Sequence, residues 1–488
     1  MSLIALDIPP GIYRNGTRYQ ASGRYYDADL WRWHQGTARP VGGWLARSSS
    51  ALSGKARCAV TWVSNSNAAW TGVGTHSKLY AVSRSGSVND ITPVGYTVGQ
   101  PDAVFGGGYG EGRYGRGLYG TPRLGSTNII PATVWALDTW GEYLVGTAGS
   151  TIYEWQLTTG TPAAAISGAP TAESIFVTAE RIMVALGSDE DPRAVDWCDA
   201  EDNTDWTPSA TNLAGGKRLQ TNGSLQSGHR VRGGNLIFTD VDVYFMRYEG
   251  LPFVYSFDQL ATGCGVISKN CVATVDDKAY WMGTNGFWTY NGYVDDLPCD
   301  VADYVFSDIN TVQASKVSAW HNSLWGEVWW HYPSAGSTEC DRYVFYNYHE
   351  NHWGIGQMAR LCGVDREVLQ YPQLVGADGY VYSHEVGHVK DGRQPFATSG
   401  PVELGMGDTT MEVHAYIPDE NTLGSIAASF SVRDYPLDAP VAVAAVNAET
   451  KTDLRFSGRM VSVTYTGDAD VDFRLGRPRF DVKTGSGR

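Results

Sequence analysis

The sequence predicts an all-β protein: a β-propeller of six or seven blades, with an additional antiparallel β platform domain formed by the N- and C-terminal segments. Three observations carry this. Gly occurs 57 times in 488 residues, Tyr 28 and Trp 17 times, and only 18 % of residues are charged, a composition of short strands and tight turns. A unit of two alternating apolar runs about a turn recurs seven times. Its turns near 146, 187, 239, 283, 333 and 376 lie 41 to 52 residues apart, the length of a four-stranded blade.

In chain order, residues 1–55 read as an N-terminal platform segment, loop-like, with the aromatic clusters Tyr25-Tyr26 and Trp31-Arg-Trp33. Residues 56–398 form the expected propeller. Its units include Tyr143-Leu-Val-Gly146 with Thr151-Ile-Tyr-Glu-Trp155, and Ala279-Tyr-Trp-Met-Gly283 with Phe287-Trp-Thr-Tyr290. Trp and Tyr on both sides of such strands fit a sheet covered on both faces, as stacked blades are. The step between the first two units is too long for one blade and contains a Gly/Tyr-rich insert, 105–120. The only short helix expected lies in 299–316. Residues 399–488 are the expected C-terminal β domain, because 411–417, 427–432 and 460–465 alternate cleanly.

At 42 % apolar residues the chain can pack a core. A formal charge of −15 disfavours a protein that coats nucleic acid. No apolar run reaches the length of a membrane span, and Met1 to Asp7 lacks the basic and apolar regions of a signal peptide. The seven cysteines (58, 198, 264, 271, 299, 340, 362) form no C-x-x-C pair. They read as reduced, packed thiols of a protein made in a cytoplasm.

Several motifs resemble chemistry. His384-Glu385-Val386-Gly387-His388 spells H-E-x-x-H, which in zinc proteases sits on a helix. Here Tyr380-Val-Tyr-Ser alternates like a strand, and strand residues four apart are about 13 Å from each other, so surface histidines on a strand or hairpin are expected and no metal. The insert holds G-x-G-x-x-G twice, but no helix follows it. Its Tyr109, Arg113, Tyr114, Arg116 and Tyr119 are candidates for a subunit contact or a channel loop, with base stacking as the alternative. The acidic stretches Asp189-Glu-Asp191 and Asp199 to Asp205 lack the spacing of a calcium loop and read as solvated turns. No catalytic residue, no cofactor and no enzyme activity are expected.

Gly11-Ile-Tyr-Arg-Asn-Gly-Thr-Arg-Tyr19, Gly23-Arg-Tyr-Tyr-Asp27, Arg39-Pro-Val-Gly-Gly-Trp44, the Asp196 to Pro208 stretch and the Gly/Tyr insert resemble tail structural proteins of tailed bacteriophages. The stretch from Asn235 to Gly283 resembles the tail hub or nozzle protein of short-tailed phages. The resemblance implies a β-propeller beside a β platform and a homohexameric ring in the virion tail, below portal and adaptor. Such a ring closes the DNA channel, retains packaged DNA and passes it at ejection. The implied partners are the adaptor, a fibre, spike or needle protein, and DNA bound without sequence specificity. The alternative is a propeller that binds or cleaves glycans, with Trp and Tyr stacking on sugars.

Overall fold

Seven four-stranded antiparallel sheets follow one another from Ala56 onward. The computed structural model describes residues 2–106, 129–403, 409–447 and 449–484. The innermost strands are Ala56–Val63, Ala136–Trp140, Ser174–Val177, Leu225–Val231, Val272–Val275, Ser318–Asn322 and Arg360–Val364. Each packs beside the next, and the last returns to the first. This closed ring is a seven-bladed propeller, with blades 1 to 7 in chain order.

The seven repeated units of the sequence are the second and third strands of the seven blades, from Ala69–Thr75 with Leu79–Ser83 to Gln373–Gly376 with Val381–His384. These middle strands lie between neighbouring blades and bury both faces. Trp281, Trp329, Trp330, Tyr343 and Phe345 are almost wholly removed from water. Burying such aromatic side chains is the largest favourable contribution a strand of this length can make. Fourth strands such as Ala164–Ala165 and Gly215–Arg218 are exposed and carry no apolar pattern, whereas that of blade 6, His352–Gln357, is buried beside Tyr25–Asp29.

Blade 7 closes the ring with a strand from the other end of the chain. Trp44–Ala46 pairs with Val381–His384, with Trp44 opposite His384. This departs from the assignment of all of 1–55 to the platform. The pairing covers the edge that blade 7 would otherwise leave open. The helix expected in 299–316 is a short one, Ala302–Asp308, followed by a 3-10 turn, Thr311–Lys316. Six of the seven free cysteines are buried and Cys299 is partly buried.

The two chain ends join in a second β unit of two sheets. One orders Ser2–Ala5, Arg479–Thr484, Met411–Ile417 and Thr452–Gly458. The other runs Tyr25–Asp29, Phe396–Ser399, Met460–Gly467, Ile426–Arg433 and Val441–Asn447, with Val402–Glu403 as a side branch. Tyr416, Phe430, Phe456 and Phe480 interlock at 5.4–6.1 Å between the sheets. The hydrophobic core of this sandwich is continuous with that of blades 4 to 6, so propeller and sandwich share apolar packing.

Candidate functional site

Blade 5 faces blades 1 and 2 across the propeller axis. From it the Asn270 amide donates to the Arg57 carbonyl at 2.8 Å and the Trp135 carbonyl at 3.1 Å. These bonds cross the axis at the N-terminal ends of the inner strands. Beyond them a cavity of about 220 Å³ is lined by Asp138, Ser174, Ser227, His229, Asn270 and Thr274 among others. The inner strands of blades 3 and 4 pack tightly at its wall, where a Cβ on Gly228 would clash with the Phe176 ring.

The opposite mouth carries charge of both signs. Arg230 lies 3.7 Å from Asp138, beyond hydrogen-bond length. Burial raises the Asp138 carboxyl, against the pull of Arg230 and of the Val177 and Thr139 amides. Burial and the Asp365 charge raise Glu367, which also feels His321, Arg230 and Asp138. Groups from blades 2, 4, 6 and 7 therefore converge on one opening.

Blade 6 and blade 7 supply a relay there. His321 Nδ1 lies 3.2 Å from an Asp365 carboxylate oxygen, and its Nε2 lies 2.9 Å from the Tyr348 hydroxyl. A carboxylate only accepts, so Nδ1 of the neutral ring carries the proton and Nε2 accepts from Tyr348. Burial acts to raise Asp365, but the His321 bond and the Arg366 and Ser323 amides outweigh it and hold the carboxyl low. Deeper in the cavity burial alone pushes His229 down to about 4, so its ring is neutral. His229 Nε2 and Ser227 Oγ have no hydrogen-bond partner among the described residues.

The H-E-x-x-H motif has a different use. His384 ends a strand of blade 7, and Glu385 follows in the left-handed region at φ 60°. Arg32, wholly buried, binds Glu327 through Nε and Nη2 at 2.9 and 2.8 Å, and Glu385 through Nη1 and Nη2 at 2.9 and 2.8 Å. Asn322 and Trp325 also donate to Glu385, and Trp329 donates to Glu327. Gly42 makes room, since a Cβ there would lie 2.7 Å from the Glu385 Cα. The two carboxylates share one guanidinium. Burial and the neighbouring Glu385 raise Glu327 against Arg32. At Glu385 burial is outweighed by Arg32 and the added donors, and the carboxyl titrates low. The centre joins the hairpin of Trp31–His34 and Thr37–Pro40 to blades 6 and 7.

The expectation of surface histidines holds only in part. His388 is exposed, but His384 is buried, stacked on Trp44 at 5.5 Å, with Nε2 accepting from Arg360 at 2.9 Å. The strand pairing with Trp44 draws it inside. Among the described residues no group of three His, Cys, Asp or Glu side chains could hold a metal ion. In the acidic stretches the carboxylates cap their own turns, as Asp202 does for Thr204.

The candidates Tyr109, Arg113, Tyr114, Arg116 and Tyr119 lie outside the described residues. The chain enters and leaves that segment through a two-stranded ribbon, Val104–Phe105 with Ile129–Ile130, whose four side chains are exposed. The ribbon's root is fixed to the propeller. The Gln313 amide exchanges two 2.9 Å hydrogen bonds with the Ala103 backbone. Buried Lys316 binds Asp102, Glu339 and the Thr338 carbonyl. Sequence reasoning missed Arg32, Lys316, His321 and Asp365, because each acquires its partner across more than 20 residues of chain and none belongs to a motif.

A scan against family models finds none that matches, and none of the curated proteins is similar to the chain. Solved structures similar to it include virginiamycin B lyase from Staphylococcus aureus. That structure is 8 % identical with a TM-score of 0.42, over 70 % of this chain and 98 % of the lyase. A gluconolactonase from Xanthomonas campestris is 12 % identical, TM-score 0.32, over 52 % of this chain and 86 % of its own. The Pan2 WD40 domain of Neurospora crassa is 8 % identical, TM-score 0.39, over 71 % and 97 %. The expectation that the chain is not an enzyme is corrected here, because the similar structures include enzymes. At these identities the likeness concerns the fold alone.

Proposed function

We propose that the chain is a structural subunit of a phage tail, the nozzle or hub ring that extends and closes the DNA channel below portal and adaptor. The observation that carries this reading is the placement of exposed apolar side chains at the tips of projecting hairpins. Leu251 and Phe253 end the long outer hairpin of blade 4, Asp242–Gly250 with Val254–Thr262. Tyr435 and Leu437 end a hairpin of the sandwich, and Val104, Phe105, Ile129 and Ile130 form the ribbon. Phe253 is 74 % and Leu437 100 % exposed. Apolar groups of this size collected at tips mark surfaces that neighbouring subunits cover. The pairing of a propeller with a β unit made from both chain ends also agrees with the resemblance of residues 11–44.

In this reading the chain assembles as a homohexamer in the virion tail, contacts the adaptor and a fibre, spike or needle protein, and lets DNA pass. The acidic balance of the chain supports the last step, because few phosphate contacts must then be broken as DNA slides. The test is mass measurement and negative-stain imaging of the purified protein, alone and with its adaptor. A six-fold ring is expected, weakened by Phe253→Ser and Leu437→Ser while the monomer stays folded. A monomer under both conditions overturns the proposal.

A further inference from the structure

We propose that neighbouring copies of the chain join by strand pairing: Val441–Asn447 of one sandwich pairs with Ser2–Ala5 of the next, so that a sheet continues across the subunit boundary. The pairing rests on the reading that copies assemble as a ring, and it assigns the surfaces that meet there.

The two sheets of the sandwich end in four strand edges, and two of these are already protected. Tyr25–Asp29 packs beside His352–Gln357 of blade 6. Thr452–Gly458 carries exposed Asp453 and Arg455, and charged side chains on an edge oppose pairing with a further strand. The other two edges lack such protection. Val441-Ala-Val-Ala-Ala-Val-Asn447 contains no charged residue and no proline, and most of its length is exposed. Its one irregularity is a bulge at Ala444 and Ala445. Ser2-Leu-Ile-Ala5 is likewise uncharged and mostly exposed. Neither has a strand on its outer side among the described residues. Each therefore presents a row of backbone N–H and C=O groups, for which another strand is the matching partner.

The occupant of each edge follows from where the two lie. Thr452–Gly458 packs on Ile426–Arg433, the neighbour of Val441–Asn447, so these ends of the two sheets overlie each other. At the far end Leu6, directly after Ser2–Ala5, lines a cleft with Tyr25. The two uncharged edges therefore sit on opposite flanks of the sandwich. They cannot meet within one chain, but they meet when copies stand side by side. Joining two different edges is a head-to-tail contact, which can close into a ring, whereas pairing one edge with itself stops at a dimer.

Charge favours the same match. Asp434, Asp438 and Glu449 stand exposed at the two ends of Val441–Asn447, and Arg477, Arg479 and Lys483 stand exposed beside Ser2–Ala5. Arg459, over the Tyr435 ring at 5.0 Å, offsets part of the acidic flank, and Asp7, 3.2 Å from Arg477, offsets part of the basic one. Between copies that each carry a formal −15, an acidic flank against a basic one supplies local attraction.

The experiment uses the full chain. Copies carrying Leu3→Cys are co-assembled with copies carrying Ala444→Cys and treated with a short bis-maleimide, with the parent as control for its own thiols, of which six are buried and Cys299 is partly buried. A cross-linked pair is expected from the mixture and from neither variant alone, and mass spectrometry should join the peptide of position 3 to that of position 444. In a second arm, Val441→Lys with Ala444→Lys should raise the concentration needed for half-assembly about tenfold. Both side chains are exposed, so the melting temperature of the monomer should stay that of the parent. A ring that forms without the cross-link, or that the double lysine variant leaves intact, overturns the strand pairing and leaves the ring reading standing. A pair formed by Ala444→Cys alone overturns the head-to-tail match. A protein that stays monomeric alone and with its adaptor overturns both readings.

Discussion

The molecule contains two polar centres built from similar side chains and finished differently. Around Arg32 every carboxylate oxygen of Glu327 and Glu385 accepts at least one hydrogen bond, and both carboxylates are buried. At the axial mouth Asp138 and Arg230 stay 3.7 Å apart, and Ser227 and His229 keep unpaired atoms. A buried ionic centre is tolerated only when its partners are complete, and the first meets that condition by fixing three distant segments in one arrangement. The second lies at a solvent-facing mouth, where the half-exposed Arg230 keeps its hydration and needs no close mate, so close pairing of charges goes with their complete burial.

The comparison can be broken most directly at Arg32. Arg32→Met leaves two buried carboxylates without their cation and should cost about 3–5 kcal/mol of unfolding free energy, measured by chemical denaturation at pH 7. The loss should depend on pH. Glu385 titrates below its ordinary 4.5 in the folded protein, so its contribution is present above that value and disappears as pH falls through the lower folded one. Parent and variant should therefore approach each other in stability on acidification below about 4.5. Equal loss at pH 7 and at pH 3.5 would show that Arg32 acts through packing and not charge.

Lys316 tests whether the ribbon's root belongs with the sealed centre. Lys316→Met removes a buried ammonium that holds Asp102, Glu339 and the Thr338 carbonyl. Arg57 still binds Glu339 at 2.8 Å through two nitrogens, so a smaller loss is expected, about 2 kcal/mol. It should be accompanied by faster proteolysis at 100–103 than elsewhere.

At the mouth the expected effects are smaller still. Asp365→Asn weakens the acceptor for His321 and should cost about 1 kcal/mol. Nitrogen NMR of His321 should then show a mixture of ring tautomers in place of the single Nδ1–H form. The smallest effect belongs to His388→Ala. That side chain is exposed, and its loss should move stability by less than about 0.5 kcal/mol, although it shares a motif with Glu385. A large loss there would mean that the motif acts as a unit.

The blades were legible because their middle strands are the most constrained part of the repeat. A strand covered on both sides must be apolar throughout and turn sharply, so Ala279-Tyr-Trp-Met-Gly283 and its six counterparts stand out. Exposed fourth strands such as Ala164–Ala165 face water, and nothing in their side chains announces them. The sandwich was half legible: Met411–Ile417 and Met460–Gly467 alternate, whereas exposed Val441–Asn447 does not. The candidate site was not legible. His321 and Asp365 are ordinary residues 44 positions apart in the sequence, and only the ring brings them together.

The all-β class, the approximate number of blades and the separate character of the two ends follow from composition and local periodicity alone. Tertiary structure alone decided how the ring closes, with Trp44–Ala46 completing blade 7. It also decided that Glu385 of a metal-like motif belongs to Arg32, and that His321 of blade 6 meets Asp365 of blade 7. These outcomes depend on which backbone edges and charges meet across hundreds of residues, and burial, which makes such a meeting strong or costly, exists only once the chain has folded.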